Sequence, residues 1–231
     1  MSLTGIRVGE GRTGTRHGLL RAQELPSRHG WTRIALVATE ALLLGGDTVE
    51  LDIALDQGAR LELFEVAGTV AYHGGGRQSA WRTRITLAAG AKLRWQGKPF
   101  VVADGADVER SLDLDLEPSA TAVLREFVIL GRSGERGGRL RNRTCLRVDR
   151  EPVLLEDQHF DGTTRLLPGI LGDQRVVDTV MTLGPCQVPQ PPPNSASFSL
   201  LGGHGTLVRH LGCQAAESPI PDLYATLTSD D

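Results

Sequence analysis

Apolar residues recur at alternate positions over short runs, and the runs come in repeated sets. The segments DIALDQGARLEL (52–63), RITLAAGAKLRW (84–95) and DLDLEPSATAVL (113–124) align without gaps. Ile53, Ile85 and Leu114 correspond, as do Leu55, Leu87 and Leu116, then Ala59, Ala91 and Ala120, then Leu63, Trp95 and Leu124. Each segment predicts a strand of period two, a tight turn at Gly58, Gly90 or Ser119, and a second such strand, because alternate side chains of a strand share a face. Gly58 and Gly90 stand where a turn needs positive φ. The third copy has Glu117-Pro118-Ser119 there, so its turn is of another type. A weaker fourth unit, TCLRVDREPVLLED (144–157), places its turn at 149–152.

Lone hairpins are marginal in water, so such units have to stack and cover one another's apolar faces. The expected fold is mainly β: stacked β-hairpin repeats, solenoid-like or in layered sheets, with one or two short helices towards the C-terminus. The rival is an ordinary β-sandwich with accidental internal similarity. WTRIALVATEALLL (31–44) suits a helix or strands equally, TTRLLPGILGD (163–173) holds a helical turn at most, and SPIPDLYATL (218–227) predicts a short helix beginning near Ser218. VPQPPPN (188–194) is polyproline-like and predicts a loop. The 37 residues after it are too few for an unstapled domain of their own, so residues 1–231 read as one β domain with a Pro-rich loop at 188–194.

Composition narrows the function. Glycine is abundant, at 28 of 231 residues, and aromatics make up only 4%, as expected for many turns between short aliphatic strands. A net charge of −3 argues against nucleic acid or an anionic membrane as partner. No apolar run reaches the length of a membrane span and no leader pattern opens the chain, so a cytoplasmic location is expected. Cys145, Cys186 and Cys213 then read as reduced thiols.

Few catalytic motifs survive inspection. Gly9-Glu10-Gly11-Arg12-Thr13-Gly14 matches a dinucleotide fingerprint in letters but lacks the strand and helix around it. His73-Gly74-Gly75-Gly76 has no nucleophile elbow to serve. His204, His210 and Cys213 would not share a strand face, whereas Asp157 and His159 would, and an imidazole with a carboxylate suits a divalent transition metal held weakly. The stretch Arg132–Arg150 carries seven arginines and reads equally as a solvated charged strand or as a protein-binding edge.

Several stretches together resemble the UreD (UreH) family of urease accessory proteins. They are Gly45-Gly46-Asp47 before the first unit, the Gly58-Ala59 and Gly90-Ala91 turns, the Trp95-to-Pro99 step into Phe100–Ala103, Glu126 followed by Gly131, Arg132 and Glu135, and GTLVRHLG at 205–212. Tyr72 falls in the stretch where the family commonly has T-K-x-Y-R; here Val70 and His73 replace the lysine and arginine. The resemblance implies a protein that is not an enzyme: a scaffold that binds UreF, through it the GTPase UreG, and docks on apo-urease, with a dimer of the accessory complex as a further expectation. It implies transient nickel(II) passage and no permanently bound cofactor. On that reading Glu126, Glu135, Asp157 and His159 line or gate a nickel conduit, while Arg132, Arg139, Arg141 and Tyr72 are structural or face partners. A buried salt bridge between Arg132 and Glu135 that merely holds the loop is an equal alternative. Competing functions are a β-repeat scaffold of another assembly and a metal-dependent β-fold enzyme built on His73, Asp157 and His159.

Overall fold

The computed structural model describes residues 2–9, 11–167, 169–185 and 190–229. Cys186, Glu10, Pro168 and the Val188-Pro189 start of the proline run lie outside the described residues. The chain opens with two antiparallel hairpins, β1 (Ser2–Gly9) with β2 (Arg12–Arg16) and β3 (Leu20–Arg28) with β4 (Trp31–Ala38). The β-branched content of 31–44 thus resolves as one strand followed by an irregular segment, with no helix.

The repeats come next and stack as the alignment predicts. β5 (Thr48–Leu55), β6 (Arg60–Glu65) and β7 (Thr69–Ala71) form the first coil; β8 (Ser79–Leu87), β9 (Lys92–Gln96) and β10 (Phe100–Val102) form the second; β11 (Asp107–Leu116) and β12 (Thr121–Leu130) form the third. Neighbouring coils pair in parallel, Ile53 opposite Ile85 and Ile85 opposite Leu114, Leu63 opposite Trp95 and Trp95 opposite Leu124. The aligned sequence positions are the hydrogen-bonded register.

Within a coil, the two strands on either side of Gly58, Gly90 or Ser119 belong to facing sheets, so each turn is an arch across the core and not a hydrogen-bonded hairpin. The reason is that both strands are apolar on the inner side, and two such faces are covered only by each other. The arches also bond to the next coil: Gly58 N–H donates to Ala89 O at 2.9 Å, and in the third copy the Ser119 hydroxyl accepts from Gly90 N–H at 2.9 Å. The fourth unit differs. β13 (Arg139–Val148) stacks on β11, but Asp149 and Arg150 both adopt positive φ (51° and 67°), the tight reversal that returns β14 (Glu151–Phe160) antiparallel in the same sheet. That hairpin ends the stack.

β15 (Val176–Leu183), β16 (Ser195–Ser199) and β17 (Gly205–Gly212) extend the second sheet antiparallel to β12. The described strand orders are β14-β13-β11-β8-β5-β1-β2 in one sheet and β16-β17-β15-β12-β9-β6-β4-β3 in the other, with β7 and β10 joined beside the second half of β12. Residues 190–194 of the proline run connect β15 to β16. The segment 163–173 holds one 3-10 turn, Thr164–Leu166. The terminal helix α1 (Ile220–Thr228) forms as predicted, with Pro221 in its first turn and Ser218 Oγ accepting from Ile220 N–H at 3.2 Å. Ile220, Leu223 and Tyr224 recur at helical spacing and pack on Val123, Val180 and Val208 of the second sheet's outer face. β15 is therefore buried on both faces, which accounts for its unbroken run of buried residues.

Candidate functional site: a polar seam between the sheets

Most inward positions are aliphatic, but one cross-section of the sandwich is polar. β9 ends at Gln96, Pro99 interrupts the strand because it has no N–H to donate, and β10 resumes at Phe100. β12 runs unbroken past the gap, its first half pairing with β9 and its second with β10. Glu126 stands opposite the gap. Gly97 brings the chain against β12, its N–H donating to Arg125 O at 3.1 Å, and a Cβ at position 97 would lie 2.3 Å from that oxygen.

The broken strand leaves an amide to be satisfied, and Glu65 at the end of β6 does it. Its carboxylate accepts from Lys98 N–H at 3.0 Å and from the Trp95 indole N–H at 3.1 Å. Burial raises the Glu65 pKa above the usual carboxylate value, against the opposing pull of the Lys98 amide, Arg110 and the Trp95 N–H, and with a further push from Glu126. From the facing sheet Arg110 reaches across: its Nη1 is 2.7 Å from Glu126 Oε1, and its guanidinium lies 5.2 Å from the Phe100 ring centre. Glu65, Arg110, Glu126 and their neighbours enclose about 10 Å³, room for about one water.

The polar row continues by register. In the second sheet Glu126 is followed by Thr179 and then Arg209; in the first, Arg110 is followed by Asn142 and then Gln158. Asn142 Nδ2 donates to Gln158 Oε1 at 3.3 Å, and Arg209 closes the row with two bonds to Glu156 across the sandwich, at 2.8 and 2.7 Å. At that end a groove of about 310 Å³ opens, lined by Glu156 and Arg209 together with Leu155, Phe198 and Leu201, all three of which are exposed.

The four carboxylate and imidazole candidates named from the sequence do not form one site. Only Glu126 lies in the seam. Glu135 belongs to the loop after β12, where it accepts from the Arg132 side chain (2.8 Å), from Arg132 N–H (2.9 Å) and from Asp104 N–H (3.2 Å). The Arg132 side chain, then its backbone N–H, hold the Glu135 carboxyl down at about 2. Arg132 and Glu135 thus form an ion pair across the loop, but the pair is exposed, with the Arg132 side chain 57% accessible, and not buried as the alternative expected. Asp157 and His159 share a face as predicted, 3.1 Å apart, but it is the outer face of the first sheet, since Glu156 and Gln158 take the inner one. Arg141 binds Asp157 through two bonds, at 3.1 and 2.8 Å, and draws its pKa down. Among the described residues no group of three or more His, Cys, Asp and Glu side chains is placed to hold a metal. His73 accepts from Gly75 N–H in its own exposed loop, so the enzyme constellation of His73, Asp157 and His159 is divided between that loop and an outer strand face.

The arginine-rich segment also finds its place. Arg139 pairs with Asp107 (3.2 Å), Arg141 with Asp157, and Arg147 with Asp115 (3.3 Å), so the outward arginines of β13 lie between acidic rows on β11 and β14. Tyr72 is partly exposed just after β7. Cys145 and Cys213 are free thiols. Glu65, Arg110, Glu156 and Arg209 escaped the sequence reading. The one available signal was a charged residue breaking an inward apolar series, as Arg110 does before Leu112, Leu114 and Leu116.

Comparison with known proteins agrees with the resemblance. The model of the UreD urease accessory protein family matches residues 15–218. Urease accessory protein UreD 1 of Streptomyces griseus is 48% identical over 184 residues, 79% of this chain and 71% of that protein. UreD 2 of Saccharopolyspora erythraea is 28% identical over 76% of this chain and 63% of its own length, and UreD of Streptomyces avermitilis 30% identical over 93% and 94%. No helix among the described residues is long and apolar enough to cross a membrane. The family match over residues 15–218 and the 48% identity to a UreD over most of the chain place this protein in the UreD family of urease accessory proteins, components accessory to urease and not enzymes.

Proposed function

We propose that this chain is a scaffold in urease maturation that bridges UreF, and through it the GTPase UreG, to apo-urease, and that nickel(II) passes through it as cargo without being retained. The observation that carries the reading is the polar seam. A β-sandwich gains most from an aliphatic interior, and a row of charged and amide side chains between its sheets carries a desolvation cost that stability alone does not explain. Carboxylates and amides without a thiolate or a histidine cluster suit a divalent cation bound weakly enough to be released. Glu126 is the conduit candidate in that row. Glu135, in the loop after β12, and Asp157 and His159, on the outer face of the first sheet, are gating candidates outside the seam, with Arg132, Arg139, Arg141 and Tyr72 as the structural or partner-facing set. The exposed Leu155, Phe198 and Leu201 add an apolar surface of the kind partner proteins cover.

The setting is the cytoplasm, with a dimer of the accessory complex accommodated and no permanently bound cofactor. The test is co-expression of apo-urease with its other accessory proteins and nickel, with and without this chain. Nickel per urease site should collapse without it, and the chain should co-purify with UreF. Full loading in its absence would refute the proposal.

A further inference from the structure

Two buried or part-buried arginines pair with carboxylates through two aligned hydrogen bonds. Arg125 meets Asp178 at 2.9 and 2.7 Å, and Arg209 meets Glu156 at 2.8 and 2.7 Å. Arg110 is different. Its Nη1 comes as close to Glu126, 2.7 Å, yet that nitrogen is buried and makes no well-directed hydrogen bond. The contact is one of charge, without the fork geometry that locks an arginine onto a carboxylate. The same guanidinium also lowers the pKa of Glu65, so its charge acts on both carboxylates of the seam. It lines, with both carboxylates, the small cavity of the seam.

We infer that Arg110 is the resident counter-cation of the Glu65–Glu126 pair, and that a divalent cation entering the seam has to displace it. This rests on the conduit reading above and adds to it the element that keeps passage weak and reversible. Two carboxylates facing each other in a poorly solvated interior attract any cation strongly. With a tethered guanidinium already beside them, an incoming dication gains only the difference, so it is held weakly. The Arg110 side chain moves aside by rotation about its own bonds, helped by the lack of aligned hydrogen bonds and by the adjacent Phe100 face, on which a guanidinium remains favourably placed.

The experiment is nickel(II) binding to the isolated full chain by equilibrium dialysis at neutral pH, comparing wild type, R110M, R110K and R110M/E126Q. R110M keeps the volume of the stem and removes the cation. Its nickel affinity should rise at least tenfold over wild type, and adding E126Q should abolish the rise. R110K, with a compact ammonium in place of the fork, should fall between the two. Wild-type affinity in a folded R110M, judged by circular dichroism and cooperative unfolding, would overturn the inference, as would a rise that survives E126Q. Should R110M fail to fold, R110K decides, and an affinity equal to wild type overturns the inference. Dialysis needs no urease, so the two proposals fail separately. Unchanged nickel binding in R110M alongside chain-dependent urease loading sinks only the Arg110 role. A Glu126-dependent rise alongside chain-independent loading supports that role and removes the maturation function.

Discussion

Arg125 and Glu126 are adjacent in sequence and serve opposite faces of one sheet. Arg125 points outward under the terminal helix, held by Asp178, which also accepts from the Ser218 hydroxyl at 2.7 Å. Glu126 points inward to Arg110. One strand thus anchors α1 on one side and supplies the seam on the other, so damage to the two features is separable by mutation.

The outer anchor is a buried ion pair, and removing one partner strands the other. Asp178→Ala should cost roughly 3–5 kcal/mol, because Arg125 is left charged and buried. Ser218→Ala, which removes the hydroxyl's bond to Asp178 and the one it accepts from Ile220 N–H, should cost about 1–2 kcal/mol. Urea denaturation followed by circular dichroism checks both. Equal losses for the two substitutions would contradict the burial argument.

At the strand break, Gly97→Ala should destabilise by about 1–3 kcal/mol, since its Cβ meets the Arg125 carbonyl oxygen and forces β9 and β12 apart. The loss should be accompanied by faster hydrogen exchange at Gly97 and Lys98, whose amides bond to Arg125 O and to Glu65. A neutral substitution would mean that the chain at position 97 can move away from Arg125 O without cost.

The β13–β14 turn predicts a gain. Arg150 holds φ of 67°, a region that costs a residue with a side chain about 1–2 kcal/mol relative to glycine. Arg150→Gly should therefore raise stability by up to about 1 kcal/mol once the added freedom of the unfolded chain is counted. Thermal unfolding gives the sign directly, and a lowered Tm would show that the Arg150 side chain has a role of its own.

The Arg132–Glu135 loop should respond to acid. The Glu135 carboxyl titrates near 2 in the folded chain and near 4.5 when the loop is open. Its contribution is complete above the unfolded value, shrinks as pH falls below about 4.5, and is lost below about 2, because the open state takes up a proton that the closed state refuses. Amide exchange at Arg132 and Asp104, which donate to this carboxylate, should accelerate over that window. Glu135→Gln should remove the pH dependence, and persistence of the response in that variant would assign it to another acid.

Two substitutions on the outer face of the first sheet set the scale for ordinary surface charge. Arg141→Gln and Asp157→Asn break an exposed pair among several other charges. Each should change stability by less than about 1 kcal/mol. A larger loss would make the alternating rows of charge on β11, β13 and β14 a structural element in their own right.

Much of the fold was legible in the sequence. Ile53, Ile85 and Leu114 align in the primary structure and sit side by side in the sheet, because period two and a constant coil length together specify both face and register. The terminal helix was legible from its start near Ser218 and its early proline. Whether strands flanking a turn pair with each other or face each other was not, since a tight turn serves a hairpin or an arch equally. Only the match of two apolar faces across the core decides it.

The seam itself needed the tertiary structure. Alternation states that Asp157 and His159 share a face, and they do, but not which face looks inward; their neighbours Glu156 and Gln158 took that side because Thr144 and Asn142 beside them are buried. Glu65 and Glu126 are 61 positions apart and line one cavity at the gap between β9 and β10, and Arg110 joins them from the opposite sheet. Local sequence dictates strand, turn and the parity of side chains, because these depend on backbone geometry alone. Which charges share the interior depends on how two sheets close on each other, and that is settled by packing between residues far apart in the chain.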